Sequence, residues 1–249
     1  MEIRDKVVIL TGASMGIGEA TAHLFAQQGA KLALAARSTD KLKALAEELA
    51  PLTEVIAITT DMTKPNMISA MVTTTQEHFG RIDVLINNAG QALHVPIERV
   101  NLDHYRQAME LNVYGPVVAM QAVIPVMRQQ GGGMIVNISS GVSKNYFPGV
   151  GPYASTKYAL NALSLTARAE LAGDNIRVGI VIPGLVTNDF HQNAIHYEPP
   201  SRAIQANRPG GSVPTFTSEQ VAEKVLEAVQ TEVAEQYMSE AAKAAMTRS

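Results

Sequence analysis

Tyr153 and Lys157 stand four residues apart in Tyr153-Ala154-Ser155-Thr156-Lys157, and the apolar residues that follow read as the opening of a helix. Helix positions i and i+4 share a face, so this spacing puts the Lys157 ammonium beside the Tyr153 phenol. A neighbouring cation favours phenolate and is expected to draw the phenol below its ordinary pKa of about 10. That makes a tyrosine a usable acid or base near neutral pH. Upstream, Ser139-Ser140 closes the apolar run Met134–Ile138, which reads as a buried strand. A hydroxyl at that strand end, facing the phenol, would grip a substrate oxygen from the other side. A surface Tyr–Lys pair has the same spacing, so the surroundings decide.

Those surroundings alternate short apolar runs with helix-length amphipathic segments. The runs are Lys6–Leu10, Lys31–Ala35, Glu54–Ile58, Val84–Ile86, Met134–Ile138 and Arg177–Ile182. Helical patterns lie between or after them at Gly16–Gln28, Thr39–Ala50, Pro65–Phe79, Asn101–Gln129 and Tyr153–Ala172. Near-continuous apolar strands separated by helices predict an α/β fold, a doubly wound parallel sheet covered on both faces. No linker or repeat interrupts the alternation, so residues 1–249 read as a single domain. The net charge of −3 and the absence of a Lys/Arg block argue against nucleic acid or an anionic membrane as partner. Without cysteine there is no disulfide or thiolate metal site, and with no signal-peptide pattern at Met1–Lys6 and no membrane-length apolar run a cytoplasmic protein is expected. The sequon Asn137-Ile138-Ser139 falls in a buried strand and is set aside.

The first strand runs into Thr11-Gly12-Ala13-Ser14-Met15-Gly16-Ile17-Gly18 and then a helix. Strand, glycine loop and helix N-terminus together make a cradle for a pyrophosphate. The second strand ends at Ala36, Arg37 and Ser38, where an NAD site would carry a carboxylate for the ribose 2′-hydroxyl. Arg37 would instead pair with a 2′-phosphate, so NADP(H) is preferred over NAD(H). After the third strand, Asp61 and Met62 open a turn; Asp61 could cap the next helix or accept from an adenine amino group. Asn87-Asn88-Ala89-Gly90 follows the fourth strand, at the sheet edge where parallel α/β folds bind ligands. Asn112, shortly before Gly115-Pro116, marks a kink with freed backbone groups that could hold a water, or an amide capping that break.

With these motifs assembled, the chain resembles the short-chain dehydrogenases/reductases of the single-domain type. The resemblance spans about Lys6 to Asn188. It rests on Thr11–Gly18, Asn87–Gly90, Asn112, Asn137–Ser140, Tyr153–Lys157 and Pro183-Gly184. It implies a Rossmann fold and a catalytic set of Asn112, Ser140, Tyr153 and Lys157. Tyr153 would exchange the proton, Lys157 would tune it and bind the nicotinamide ribose, Ser140 would hold the substrate oxygen, and Asn112 would position a water. The cofactor is expected along Gly12, Ser14, Gly16, Ile17, Gly18, Arg37, Ser38, Asp61, Met62, Asn88, Ala89, Gly90, Pro183, Gly184, Val186, Thr187 and Asn188. Either Thr187 or Asn188 would take the part of the family's threonine after Pro-Gly.

Around the chemistry lie Gln91, Leu93, Val142, Tyr146, Phe147 and Leu185, mostly apolar and without a cluster of cations. Residues 189–217, rich in Pro and Gly and including Arg202 and Arg208, read as a lid. The six histidines have no ligand spacing, so no metal is expected. The expected activity is NADP(H)-dependent hydride exchange with a carbonyl or secondary alcohol of a mostly apolar small molecule. Reduction of a 3-oxoacyl thioester is the alternative within enzymes; a cofactor-binding sensor without turnover is the alternative outside them, and it predicts a damaged catalytic set. The C-terminal Gln236-Tyr237-Met238 reads as a weak seventh strand. The resemblance implies a homodimer that pairs the helical segments 101–129 and 153–172, or a homotetramer that also uses the C-terminal strand.

Overall fold

The computed structural model describes residues 1–187, 190, 195–196 and 214–247. Seven parallel strands form the central sheet: β1 (Val7–Thr11), β2 (Lys31–Ala36), β3 (Val55–Thr59), β4 (Val84–Asn87), β5 (Gly133–Ile138), β6 (Ile176–Ile182) and β7 (Glu235–Tyr237). Their order across the sheet is β7-β6-β5-β4-β1-β2-β3. β1, β4 and β5 are buried at every position, while the edge strand β3 is half-exposed. The interior strands are therefore apolar on both faces, as a sheet sandwiched between helix layers requires. The weak C-terminal strand forms, pairing Glu235–Tyr237 with Ile180–Ile182.

Helices α1 (Gly16–Gln27), α2 (Thr39–Leu49), α3 (Pro65–Phe79), α4 (Leu102–Met109), α5 (Gly115–Gln129), α6 (Gly151–Glu170), α7 (Ser218–Thr231) and α8 (Glu240–Thr247) cover the faces. One core cluster joins β1, β2 and β5 to α1, α2 and α7, and another joins the opposite face to α3 and α5. All six strand expectations hold to within a residue, and the helices expected at 16–28, 39–50, 65–79 and 153–172 hold to within two. None was made for α7, whose Thr217 and Gln220 make a reciprocal capping box at its start.

The segment 101–129 is not one helix. A π-turn at Glu110–Tyr114 separates α4 from α5, and the Gly115 N–H donates five residues back to the Glu110 carbonyl. Pro116 has no N–H to give the Asn112 carbonyl, so the regular ladder loses a rung there. Gly115 also presses on the Met62 carbonyl, into which a Cβ would collide. The kink expected at Asn112 is this turn. Among the described residues no helix is long and apolar enough to cross a membrane, and no group of His, Cys, Asp or Glu is arranged for a metal.

Candidate active site

β1 and β4 are neighbours although the chain visits two other strands between them. The order reverses there, and in open α/β sheets the crevice beyond the strand ends at such a point takes ligands. The glycine loop lines it. Gly12 and Gly16 have φ of 65° and 58°, conformations that favour glycine. A Cβ on Gly18 would strike the Gly12 carbonyl, so α1 lies tight against the loop. Asn88 pins the loop from β4: its amide nitrogen donates to the Thr11 carbonyl at 3.0 Å and the Gly12 carbonyl at 3.1 Å. Thr11 Oγ1 accepts in return from the backbone of Asn88 and Ala89, at 3.0 and 3.1 Å. Positive-φ glycines at a helix N-terminus, held from two strands, fit a dinucleotide pyrophosphate.

Arg37 and Ser38 are exposed just past β2, and Ala36 before them is buried. The Asp61 carboxylate accepts from the Thr63 amide and hydroxyl, each at 2.9 Å. Those bonds and the nearby charge of Arg37 hold it below the usual carboxylate range although burial opposes them. Asp61 thus caps the turn before α3. Met62 sends its side chain into the core and offers the site only backbone. On the far side, the Pro183 carbonyl accepts from the Gly141 amide at 2.8 Å, Gly184 packs on the Phe216 ring, and Val186 is buried. The Thr187 amide and hydroxyl both donate to the Phe216 carbonyl, at 2.9 and 3.1 Å. Asn188 and most of the expected lid lie outside the described residues.

The catalytic candidates meet where β5 ends. Lys157 is buried on α6 and its ammonium donates to the Ile138 carbonyl at 2.9 Å. Tyr153, one turn earlier, is 5% exposed, and the Ser140 side chain lies beside its phenol and acts to lower its pKa. Asn112 is wholly buried: its Oδ1 accepts from the Gln91 amide at 2.9 Å, and its Nδ2 donates to the Gln91 carbonyl at 2.9 Å and Thr156 Oγ1 at 3.1 Å. Its side chain therefore clamps the chain after Asn88-Ala89-Gly90 to α6. A Cβ on Gly90 would come within 3.2 Å of Asn112 Oδ1 and 3.6 Å of Lys157 Nζ.

The expected depression of the Tyr153 pKa is not found in the cofactor-free chain. Burial pushes the phenol up to about 12, with the Ser140 hydrogen bond acting against it. Lys157 Nζ is 6.0 Å from the Tyr153 ring centre and gives its hydrogen bond to Ile138, so removal from water outweighs attraction between the two. Burial likewise lowers Lys157 to about 8. Between about 8 and 10.5 the folded chain then carries fewer protons than the unfolded chain, so this group makes stability rise with pH. Relative to Lys157→Met, wild type should gain roughly 3 kcal/mol across that window. Urea unfolding of both proteins at a series of pH values measures it; a constant difference would contradict the buried lysine.

Ala92, Leu93, Val95 and Ala108 pack with Tyr153, and Val142, Tyr105 and Phe190 border them. The Phe190 ring centre lies 6.1 Å from that of Tyr153. Leu93 and Val142 are thus brought to Tyr153, and the Gln91 backbone is held by Asn112. Tyr146 and Phe147 line an open groove with Ala154, Ser155 and Tyr158, where Tyr146 stacks on Tyr158. Leu185 is 44% exposed. Phe190 falls inside the expected lid without having been singled out; an aromatic residue soon after Pro183-Gly184 was the available signal. Short parallel pairing of Leu93–His94 with Ile195–His196 ties the two loops together.

The family model described as short chain dehydrogenase matches residues 6–198. An uncharacterized oxidoreductase of Staphylococcus saprophyticus is 41% identical over 190 residues, 76% of this chain and 77% of its own length. A short chain dehydrogenase/reductase of Burkholderia phymatum, solved in complex with NAD, aligns with a TM-score of 0.87 at 25% identity, covering 99% of this chain and 93% of the other. An alcohol dehydrogenase of the archaeon Thermococcus sibiricus, complexed with 5-hydroxy-NADP, aligns at 0.78 with 30% identity, covering 93% and 94%. The glycine loop at the switch point and the Ser140, Tyr153 and Lys157 cluster beyond β5 lie within the matched residues, and the chain belongs to the short chain dehydrogenase family of oxidoreductases.

Proposed function

We propose that this chain is an NADP(H)-preferring oxidoreductase that interconverts a carbonyl and a secondary alcohol on a mostly apolar small molecule. The observation that carries the reading is the meeting of buried Tyr153 and Lys157 with the Ser140 side chain beyond β5, at the same sheet edge as the glycine loop. A bound nicotinamide supplies or accepts the hydride. In reduction, Tyr153 gives its phenolic proton to the substrate oxygen as the carbonyl carbon gains the hydride, leaving an alcohol; oxidation reverses both transfers. Ser140 orients that oxygen by a second hydrogen bond. Lys157, freed from the Ile138 carbonyl or shared with it, holds the nicotinamide ribose and steadies the phenolate. Asn112 keeps Gln91 and α6 in register, and its carbonyl holds a water. Leu93, Val142 and Phe190 supply apolar walls, which favours a neutral substrate. A homodimer or homotetramer is part of the same reading, and light scattering on the purified chain tests it.

The preference for NADP(H) rests on Arg37, exposed at the end of β2 where a carboxylate would select NAD(H). Losing a charge-assisted contact to the 2′-phosphate should lower kcat/KM for NADPH by about 10- to 100-fold in Arg37→Ala and leave NADH nearly unchanged. A panel of ketones, aldehydes and acyl-thioester mimics, run with both cofactors, is the experiment. NADH preference in wild type would refute the Arg37 assignment alone. No turnover on any member, with NADPH bound, would turn the reading towards a sensor.

A further inference from the structure

The chemistry described so far uses Tyr153 and Lys157 on α6 and leaves Asn161, one turn further along the same face, without a role. Asn161 is buried, and so are Ser139 and Ser143, which flank Ser140 in the loop beyond β5. The Ser139 hydroxyl donates to Asn161 Oδ1 at 2.5 Å. Asn161 Nδ2 donates to Ser143 Oγ at 2.8 Å, and the Ser143 hydroxyl donates to the Ser140 carbonyl at 2.6 Å. Each serine has one proton, and both are committed by these bonds. The 3.1 Å approach of Ser139 Oγ to Ser143 Oγ is then a contact within the ring, not a further donor. The same bonds fix the Asn161 amide, with oxygen towards Ser139 and nitrogen towards Ser143. A side chain with only acceptors, or with none, cannot serve both serines.

Ser140 itself has extended backbone, with φ −164° and ψ 153°, and its hydroxyl faces Tyr153 while accepting weakly from the Val142 amide at 3.4 Å. The loop's backbone is anchored at Ser139, whose amide donates to the Val181 carbonyl, and at Gly141, whose amide donates to the Pro183 carbonyl, each at 2.8 Å. Beyond the 3-10 turn, Lys144 pairs with Glu235 of β7 at 2.7 Å. The Ser140 carbonyl accepts from the Ser143 amide at 3.0 Å and from the Ser143 hydroxyl, and Asn161 aims that hydroxyl and so ties the peptide after Ser140 to α6. One rigid helix thus carries both the proton-exchanging phenol and the group that fixes its hydroxyl partner.

We propose that Asn161 is a positioning residue for the reaction, holding Ser140 against Tyr153 through Ser143. This rests on the oxidoreductase reading above. Asn161 touches neither substrate nor reacting atoms, so its effect should pass through Ser140 and disappear when Ser140 cannot act. The test is a double-mutant cycle, in the full chain, of Asn161→Ala with Ser140→Ala, scored by turnover of the best ketone with NADPH. Ser143→Ala is the second, milder variant, since it removes one hydroxyl and leaves α6 intact.

We expect Asn161→Ala and Ser143→Ala each to lower kcat by 10- to 100-fold with the NADPH dissociation constant unchanged. On the Ser140→Ala background neither should lower it further. Equal losses with and without Ser140, or a parallel loss of NADPH binding, would mean a structural role and overturn the proposal. So would unchanged kcat in both single variants. Wild type and Tyr153→Phe in the same assay separate the two levels: failure of wild type, or full activity of Tyr153→Phe, refutes the oxidoreductase reading and takes this proposal with it. Normal behaviour of that pair with the wrong Asn161 pattern refutes the proposal alone.

Discussion

Tyr153→Phe should lower kcat by about 10²- to 10⁴-fold, the range general acid–base catalysis supplies, and leave folding and NADPH binding intact. The ring sits among Ala92, Leu93, Val95 and Ala108, and Phe keeps every one of those contacts. What is lost is a single oxygen, the one beside Ser140. With the phenol near 12 in the free chain, the acid form dominates throughout the neutral range. The kcat/KM for carbonyl reduction should therefore stay level up to about pH 8, where Lys157 begins to lose its proton, while that for alcohol oxidation, which needs phenolate, should climb with pH. Steady-state rates in both directions, with NADPH affinity measured by nicotinamide fluorescence, check both parts. A variant retaining more than a tenth of wild-type kcat would remove Tyr153 from the proton transfer.

Gly18→Ala should abolish measurable dinucleotide binding and lower stability by about 3 kcal/mol or more, at the upper end of what overpacking costs. The added methyl would land on the Gly12 carbonyl and within 2.7 Å of Asn88 Nδ2. Neither neighbour yields easily. Gly12 is backbone held at positive φ, and Asn88 is tied to the Thr11 and Gly12 carbonyls. Relief requires α1 to draw back from β1, which opens the helix N-terminus that faces the pyrophosphate. Thermal unfolding with and without NADPH separates the two effects. Wild-type stabilisation by NADPH that persists in Gly18→Ala would contradict this account of the loop.

The elements that carry the site were legible because their signals are local. Buried strands such as Val84–Ile86 announce themselves by apolar run length, and the turn from β1 into α1 by glycine spacing. Pro116 and Gly115 marked the break at Asn112, although not that it would be a π-turn. What could not be read depends on tertiary distance. The Tyr153–Lys157 spacing says that two side chains share a helix face, not that the ammonium turns to the Ile138 carbonyl or that the phenol is sealed from water. The direction of the Tyr153 shift was therefore reversed. Likewise, Ser139 and Ser140 are adjacent and alike in sequence, and the fold separates them by sending one to Asn161 and the other to Tyr153. α7 had a readable start in Thr217 and Gln220, but it follows a Pro- and Gly-rich stretch that masks periodicity.

Paired transfer of hydride and proton at a carbon–oxygen bond can be followed by isotope tracing. Wild type would be run with a prochiral ketone and NADPH carrying deuterium at C4 of the nicotinamide, each face labelled in turn. An alcohol with one deuterium on its carbinol carbon is expected from one of the two labelled faces, and no such product from Tyr153→Phe on the same timescale. Alcohol without label from either face, or NADPH consumption without alcohol, would contradict paired transfer.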